Sequence, residues 1–118
     1  MQYNSGYNIY IEIDETSETG VRIYDGHTRK ELKQYLRKSN TGRRYYAVMI
    51  HGKPTYVHRL VCYTYHSKDY LKMRRGGLSS NNIIAHHINN NPYDNRPDNL
   101  TWLDRKQHAS VHNLKGGH

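Results

Sequence analysis

Apolar and polar positions alternate over Asn8–Asp14, with Ile9, Ile11 and Ile13 on one side of the chain and Tyr10 and Glu12 on the other. A period of two marks a half-buried strand. Glu15–Gly20 breaks the pattern and reads as a loop. Val21–Asp25 alternates again, with Val21 and Ile23 on one face, and Asp25-Gly26 is a turn signal. The two runs predict a β-hairpin. Lys30–Lys38 is ambiguous, because Leu32, Tyr35 and Leu36 also fit a helical period; an extended strand is the expectation. Ser39–Gly42 reads as a loop. Arg44–Ile50, rich in β-branched and aromatic residues, reads as a strand. His51-Gly52-Lys53-Pro54 reads as a turn and Thr55–Val57 as a returning strand. Leu60, Val61 and Tyr65 then share one face of a helix predicted over His58–His66. Ser67–Asn82 loses this order and reads as an irregular connector. The pattern resumes with a strand at Ile83–Ile88, an Asn- and Pro-rich loop at Asn89–Pro97, and a strand at Asn99–Leu103. Asp104 stands at an N-cap position with Gln107 three residues on, so a capping box opens a helix running to about Asn113.

These elements predict an α+β fold: N-terminal antiparallel strands and a short helix, then a C-terminal ββα unit. The expected organisation is a β-rich region at 1–66 with its helix at 58–66, a basic connector at 67–82, and the ββα unit at 83–118, together forming one compact domain.

Composition narrows the chemistry. The 118 residues hold no Phe and twelve Tyr, so tyrosine must fill most aromatic core positions. Cys62 is the single cysteine, which excludes an internal disulfide and any cysteine-based zinc finger. A metal site here must draw on His, Asp, Glu or Asn. No run is apolar enough to cross a membrane. The N-terminus lacks the pattern of a signal peptide, so the cytoplasm of a host cell is the expected location. Net charge is +8. Residues 21–75 carry fourteen Lys or Arg against Asp25, Glu31 and Asp69, whereas residues 1–20 carry four carboxylates and no Lys or Arg. The basic segment suits a polyanion.

The densest chemistry lies in AHHINNNPYDNRPDNLTWLDRKQHASVH, residues 85–112. His86 and His87 end a strand, where adjacent side chains point to opposite faces, so they need not share one role. His108 and His112 are four apart on a predicted helix and project from one face. Two such imidazoles can bind one divalent ion, with His86 reaching it from the strand.

Pair, loop, asparagine and helix-borne histidines in this order resemble the HNH endonuclease family. A weaker resemblance extends back to residue 43, where Tyr46–Ile50, Gly52-Lys53 and Val57-His58-Arg59-Leu60-Val61 look like the phage and intron-encoded homing branch. Asp94-Asn95-Arg96, Asn99-Leu100 and Trp102 also fit that branch. It often has Asp at the position of His86 and Asn at that of His108; the histidines here, with His112 added, look more like the colicin-type nucleases. The resemblance implies a ββα-metal (HNH) motif and metal-dependent hydrolysis of DNA. It implies His87 as general base, Asn99 as the central asparagine that holds the loop, and His86 and His108 as metal ligands, with His112 joining them. Mg²⁺ or Mn²⁺ would serve catalysis, while three imidazoles also suit Zn²⁺ or Ni²⁺. Arg59, Arg74, Arg75 and Arg96 are the candidate phosphate contacts. One base and one ion serve one strand, so a second copy of the chain or two encounters would cut a duplex. Two further readings fit the residues: a nucleic-acid-binding module with a structural zinc, and an accessory nuclease beside a phage terminase in DNA packaging.

Overall fold

The structure, a computed structural model, describes residues 1–106. It is an α+β fold with strands β1 (Gln2–Asn4), β2 (Ile9–Ile13), β3 (Val21–Asp25), β4 (Tyr35–Lys38), β5 (Arg44–Ile50), β6 (Lys53–Tyr56), β7 (Ile83–His87) and β8 (Leu100–Asp104). Helices α1 (Val57–Tyr65) and α2 (Ser67–Arg75) lie between β6 and β7. The strands form three antiparallel sheets, β1-β2-β3, β4-β5-β6 and the hairpin β7-β8.

The predicted hairpin is present, with Ile11 opposite Ile23. Ile9, Ile11, Val21 and Ile23 are buried, but Ile13 at the strand end is exposed. The opening strand β1 carries no apolar alternation. It exists by pairing with β2 and is tied down where Asn4 Nδ2 donates to Thr64 Oγ1 of α1 at 3.0 Å. The ambiguous segment before residue 39 is extended, as expected, though regular pairing covers only Tyr35–Lys38.

Several boundaries move: β7 ends at His87, one residue before the expected Ile88, and β8 is Leu100–Asp104 in place of Asn99–Leu103, with Asn99 in a 3-10 turn. The turn after β5 is shorter than His51–Pro54: His51 and Gly52, both at positive φ, make the reversal. Lys53 and Pro54 already pair with Ile50 and Met49. Val57 then opens α1 instead of closing the strand.

The larger correction concerns the segment read as an irregular connector at Ser67–Asn82. Ser67–Arg75 is a helix, α2, followed by a 3-10 turn at Ser80–Asn82. Only Tyr70 and Met73 of α2 pack against the core, and none of its residues is fully buried. Two apolar anchors are too few to show a helical period. Asp69 in the first turn and Lys72, Arg74 and Arg75 in the last complement the helix dipole.

Helix α1 is the hub. Its buried Val57, Leu60, Val61 and Cys62 meet apolar residues of all three sheets, including Ile11, Val48 and Ile83. Burial pushes the Cys62 thiol up to about 12, so it is an inert core residue. Trp102 of β8 packs on Tyr63 and Tyr70, with ring centroids at 4.9 and 5.0 Å, and its indole N–H donates to the His66 carbonyl at 3.1 Å. Tyrosine thus does the aromatic packing, and its hydroxyls find partners: Tyr65 donates to the Ile11 carbonyl. Through α1 and Trp102, the β7-β8 hairpin is fastened to the rest of the chain.

Candidate active site

The site begins with β7 and β8. Ile83 and Ala85 bury one face of β7, and the strand ends at His86 and His87, opposite Thr101 and Leu100. Alternation sends the two imidazoles to opposite faces. Both are nonetheless buried, at 8% and 7% exposure, because protein covers each side of the hairpin there.

His87 is held by the loop that follows it. Its Nε2 lies 2.7 Å from Oδ1 of Asn95. A carbonyl oxygen can only accept, so Nε2 carries the hydrogen and Nδ1 the free lone pair. Asn95 is fully buried, and its backbone N–H donates to the Thr19 carbonyl at 2.8 Å, in the loop between β2 and β3. Gly20 of that loop, at φ +86°, leaves room for the stem of Arg96, which any β-carbon there would strike. The N-terminal hairpin therefore props the loop that props the histidine. Burial holds the His87 pKa below its ordinary value, against the opposing effects of the Asn95 hydrogen bond and the Asp94 charge.

Asn99 bridges the loop between β7 and β8. Its Nδ2 donates to Asn89 Oδ1 at 3.0 Å and to the Asp94 carbonyl at 2.9 Å, and its Oδ1 accepts from the Asn89 N–H at 3.1 Å. These bonds close a loop whose ends already meet where Ile88 N–H donates to the Asn99 carbonyl. Asn90 takes a positive φ within it, which asparagine tolerates.

Of the other predicted residues, Arg59 is half-buried and lines one recess with His86 and His87. It donates to the Ile83 carbonyl at 3.3 Å and to Tyr63 Oη at 2.7 Å, with its guanidinium over the Tyr63 and Trp102 rings. It fastens α1 to β7. Arg96 binds Asp94 through two bonds of 2.8 Å. Arg74 and Arg75 stand exposed at the end of α2. His108, His112 and most of the helix predicted to run to about Asn113 lie outside the described residues. Among the described residues no three His, Cys, Asp or Glu side chains form a group able to hold a metal. His86 is the one expected ligand they contain.

Sequence reasoning missed a second histidine. His58, at the start of α1, packs against His87 with ring centroids 5.1 Å apart, under Tyr45 and Tyr56 at 5.0 and 5.5 Å. Among the described residues its buried Nδ1 has no hydrogen-bond partner, and neither does Nδ2 of Asn95. Desolvation, with help from His87 and Arg59, lowers the His58 pKa to about 3, so it is neutral at ordinary pH. These rings border a recess of about 750 Å³ that opens beside His87 and is lined also by Arg43, Arg44 and Tyr93. The run Val57–Val61 signals only a helix start; nothing in it shows that His58 would meet His87.

A family model described as HNH endonuclease matches residues 72–110 of this chain, from the end of α2 through β7, the Asn-rich loop and β8. The match supports the HNH family for this segment and points to a nuclease, an enzyme that hydrolyses phosphodiester bonds, with DNA as the implied substrate. No curated protein and no solved structure matches the chain. No helix among the described residues is long and apolar enough to cross a membrane.

Proposed function

We propose that this protein is a metal-dependent HNH endonuclease in which His87 is the general base for hydrolysis of DNA phosphodiester bonds. The observation that carries the proposal is the state of His87: buried, neutral, tethered through Nε2 to Asn95, and bordering a recess with arginines at its edge. A base must hold its proton-accepting atom free and its ring fixed. Asn95 fixes the ring and dictates that Nδ1 is the accepting atom. Asn99 holds the loop that carries Asn95.

In this reading His87 Nδ1 takes the proton of the attacking water, and the resulting imidazolium keeps Asn95 as the acceptor for its Nε2–H. His86 together with His108 and His112 would hold a divalent ion, which supplies positive charge to the scissile phosphate and the departing oxygen. Arg74, Arg75 and the part of Arg96 not bound to Asp94 would contact flanking phosphates. One base acts on one strand, so a single copy nicks. The likeness of residues 43–61 to the phage and intron-encoded branch supports an origin in a phage or mobile element.

The test is incubation of supercoiled plasmid with the wild type and His87→Ala across Mg²⁺, Mn²⁺, Zn²⁺ and Ni²⁺. Wild type nicks and EDTA stops it. His87→Ala loses roughly a hundred- to ten-thousand-fold in rate, the range for a positioned general base, while retaining metal and DNA affinity. His86→Ala and His108→Ala lose metal binding and cleavage together. Cleavage by His87→Ala at the wild-type rate sinks the assignment. Loss of metal binding as severe as in His108→Ala makes His87 a ligand and favours a structural zinc.

A further inference from the structure

The recess beside His87 is far larger than a phosphate needs, at about 750 Å³. Its walls are aromatic. Tyr45 and Tyr56 are half-buried and meet edge to face at 5.7 Å, with His58 between them and His87. The Tyr45 ring lies within 8° of parallel to the His87 imidazole, with centroids 6.4 Å apart. Arg43 and Arg44 stand exposed among the lining residues, and neither makes an ion pair with a described residue. No Asp or Glu lines the recess among the described residues.

Aromatic faces beside unpaired arginines are the chemistry of single-strand recognition: bases stack on the rings and backbone phosphates meet the cations. A duplex presents only base edges and phosphates, because each base face is covered by its neighbours. Tyrosine walls therefore offer little to paired DNA and much to a base that has left the stack. We propose that the recess binds an unpaired DNA nucleotide adjacent to the cleavage site, its base against Tyr45 and Tyr56 and its phosphates on Arg43 and Arg44. The preferred substrate is then single-stranded or locally opened DNA. The position of the nucleotide relative to the cut rests on the reading of His87 as the base; the binding preference does not.

The experiment measures binding by fluorescence anisotropy in EDTA, so that no cleavage occurs. The probes are a short DNA strand, its perfect duplex, the same duplex with a central unpaired bubble, and an RNA strand of the same sequence. The strand and the bubble bind roughly tenfold tighter than the duplex, in the range expected for stacking one base. Tyr45→Leu and Tyr56→Leu each remove most of that preference, whereas Tyr45→Phe keeps it. A 2-aminopurine in the bubble is quenched on binding wild type. Should Tyr45→Leu fail to fold by circular dichroism, Tyr56→Leu and the quenching decide. Equal affinity for strand and duplex overturns the proposal, as does unpaired binding that neither leucine variant changes. Tighter binding of RNA overturns the commitment to DNA. Plasmid nicking, assayed in parallel, separates the two ideas: nicking without an unpaired preference leaves the nuclease and removes the recess, and the preference without nicking does the reverse.

Discussion

Asn95 Oδ1 accepts a 2.7 Å hydrogen bond from Nε2 of His87, and that one bond sets which nitrogen of the imidazole is free. Asn95 is itself held by the Thr19 carbonyl. A residue eight positions away in the motif loop and a hairpin near the N-terminus thus jointly determine the state of the proposed base.

Asn95→Ala should therefore leave the His87 ring free to turn and leave Nε2 without its acceptor. Cleavage falls by tenfold or more while affinity for DNA in EDTA holds. The melting temperature also drops, since a buried donor loses its partner at a cost of about 1–3 kcal/mol. Equal cleavage by the variant and wild type would show that Asn95 does not position the base.

Asn99→Ala removes three hydrogen bonds that close the motif loop. Stability should fall by about 1–3 kcal/mol, mostly from the partners left unsatisfied, and cleavage should fall with it. Urea unfolding beside a nicking assay checks both. Full stability with activity abolished would place Asn99 against the substrate instead of in the loop.

Acid should loosen the fold before the carboxylates respond. His58 titrates at about 3 in the folded chain, against about 6.5 when exposed. Below pH 6.5 the unfolded chain binds a proton that the folded chain refuses, so stability is complete above 6.5 and is lost as pH falls toward 3. The slope from one such group approaches ~1.4 kcal/mol per pH unit. His87, also shifted down by burial, adds in the same direction. Asp14, Asp25 and Asp94 are held below the ordinary carboxylate value, so their contributions fail only at lower pH. Urea midpoints between pH 7 and 4.5 report the histidine effect. His58→Phe should flatten the decline; an unchanged slope would mean that His58 is not buried neutral in solution.

Arg74 and Arg75 lie exposed at the cationic end of α2. Replacing both with Gln should weaken DNA binding and lower the slope of log affinity against log salt by about 0.9 for each phosphate no longer neutralised. Metal affinity should not change. A salt slope identical to wild type would remove α2 from the DNA-binding face.

The amino-acid sequence determined the local elements whose signals are local. A period of two marks β2 and β3 because alternate side chains of a strand face alternate environments, and β-branched and aromatic content marks β5; those strands fall where these signals put them. The order of histidines and asparagines around residues 85–112 likewise identifies the motif, since it sits in one contiguous stretch. Asn99 is legible as the loop holder for the same reason. What the sequence does not show depends on packing between distant segments. Helix α2 carries only Tyr70 and Met73 toward the core, too few for a period, and forms because α1 and Trp102 give those two residues somewhere to pack. β1 has no pattern of its own and exists through its pairing with β2. Arg59 reads in the sequence as a candidate phosphate contact; that its guanidinium also meets the Ile83 carbonyl and Tyr63 is decided by tertiary packing. His58 precedes His87 by twenty-nine positions, and only the seating of α1 against β7 brings the two rings together and desolvates both. Burial and hydrogen-bond partners are properties of the folded surroundings, so the state of the proposed base was decided there.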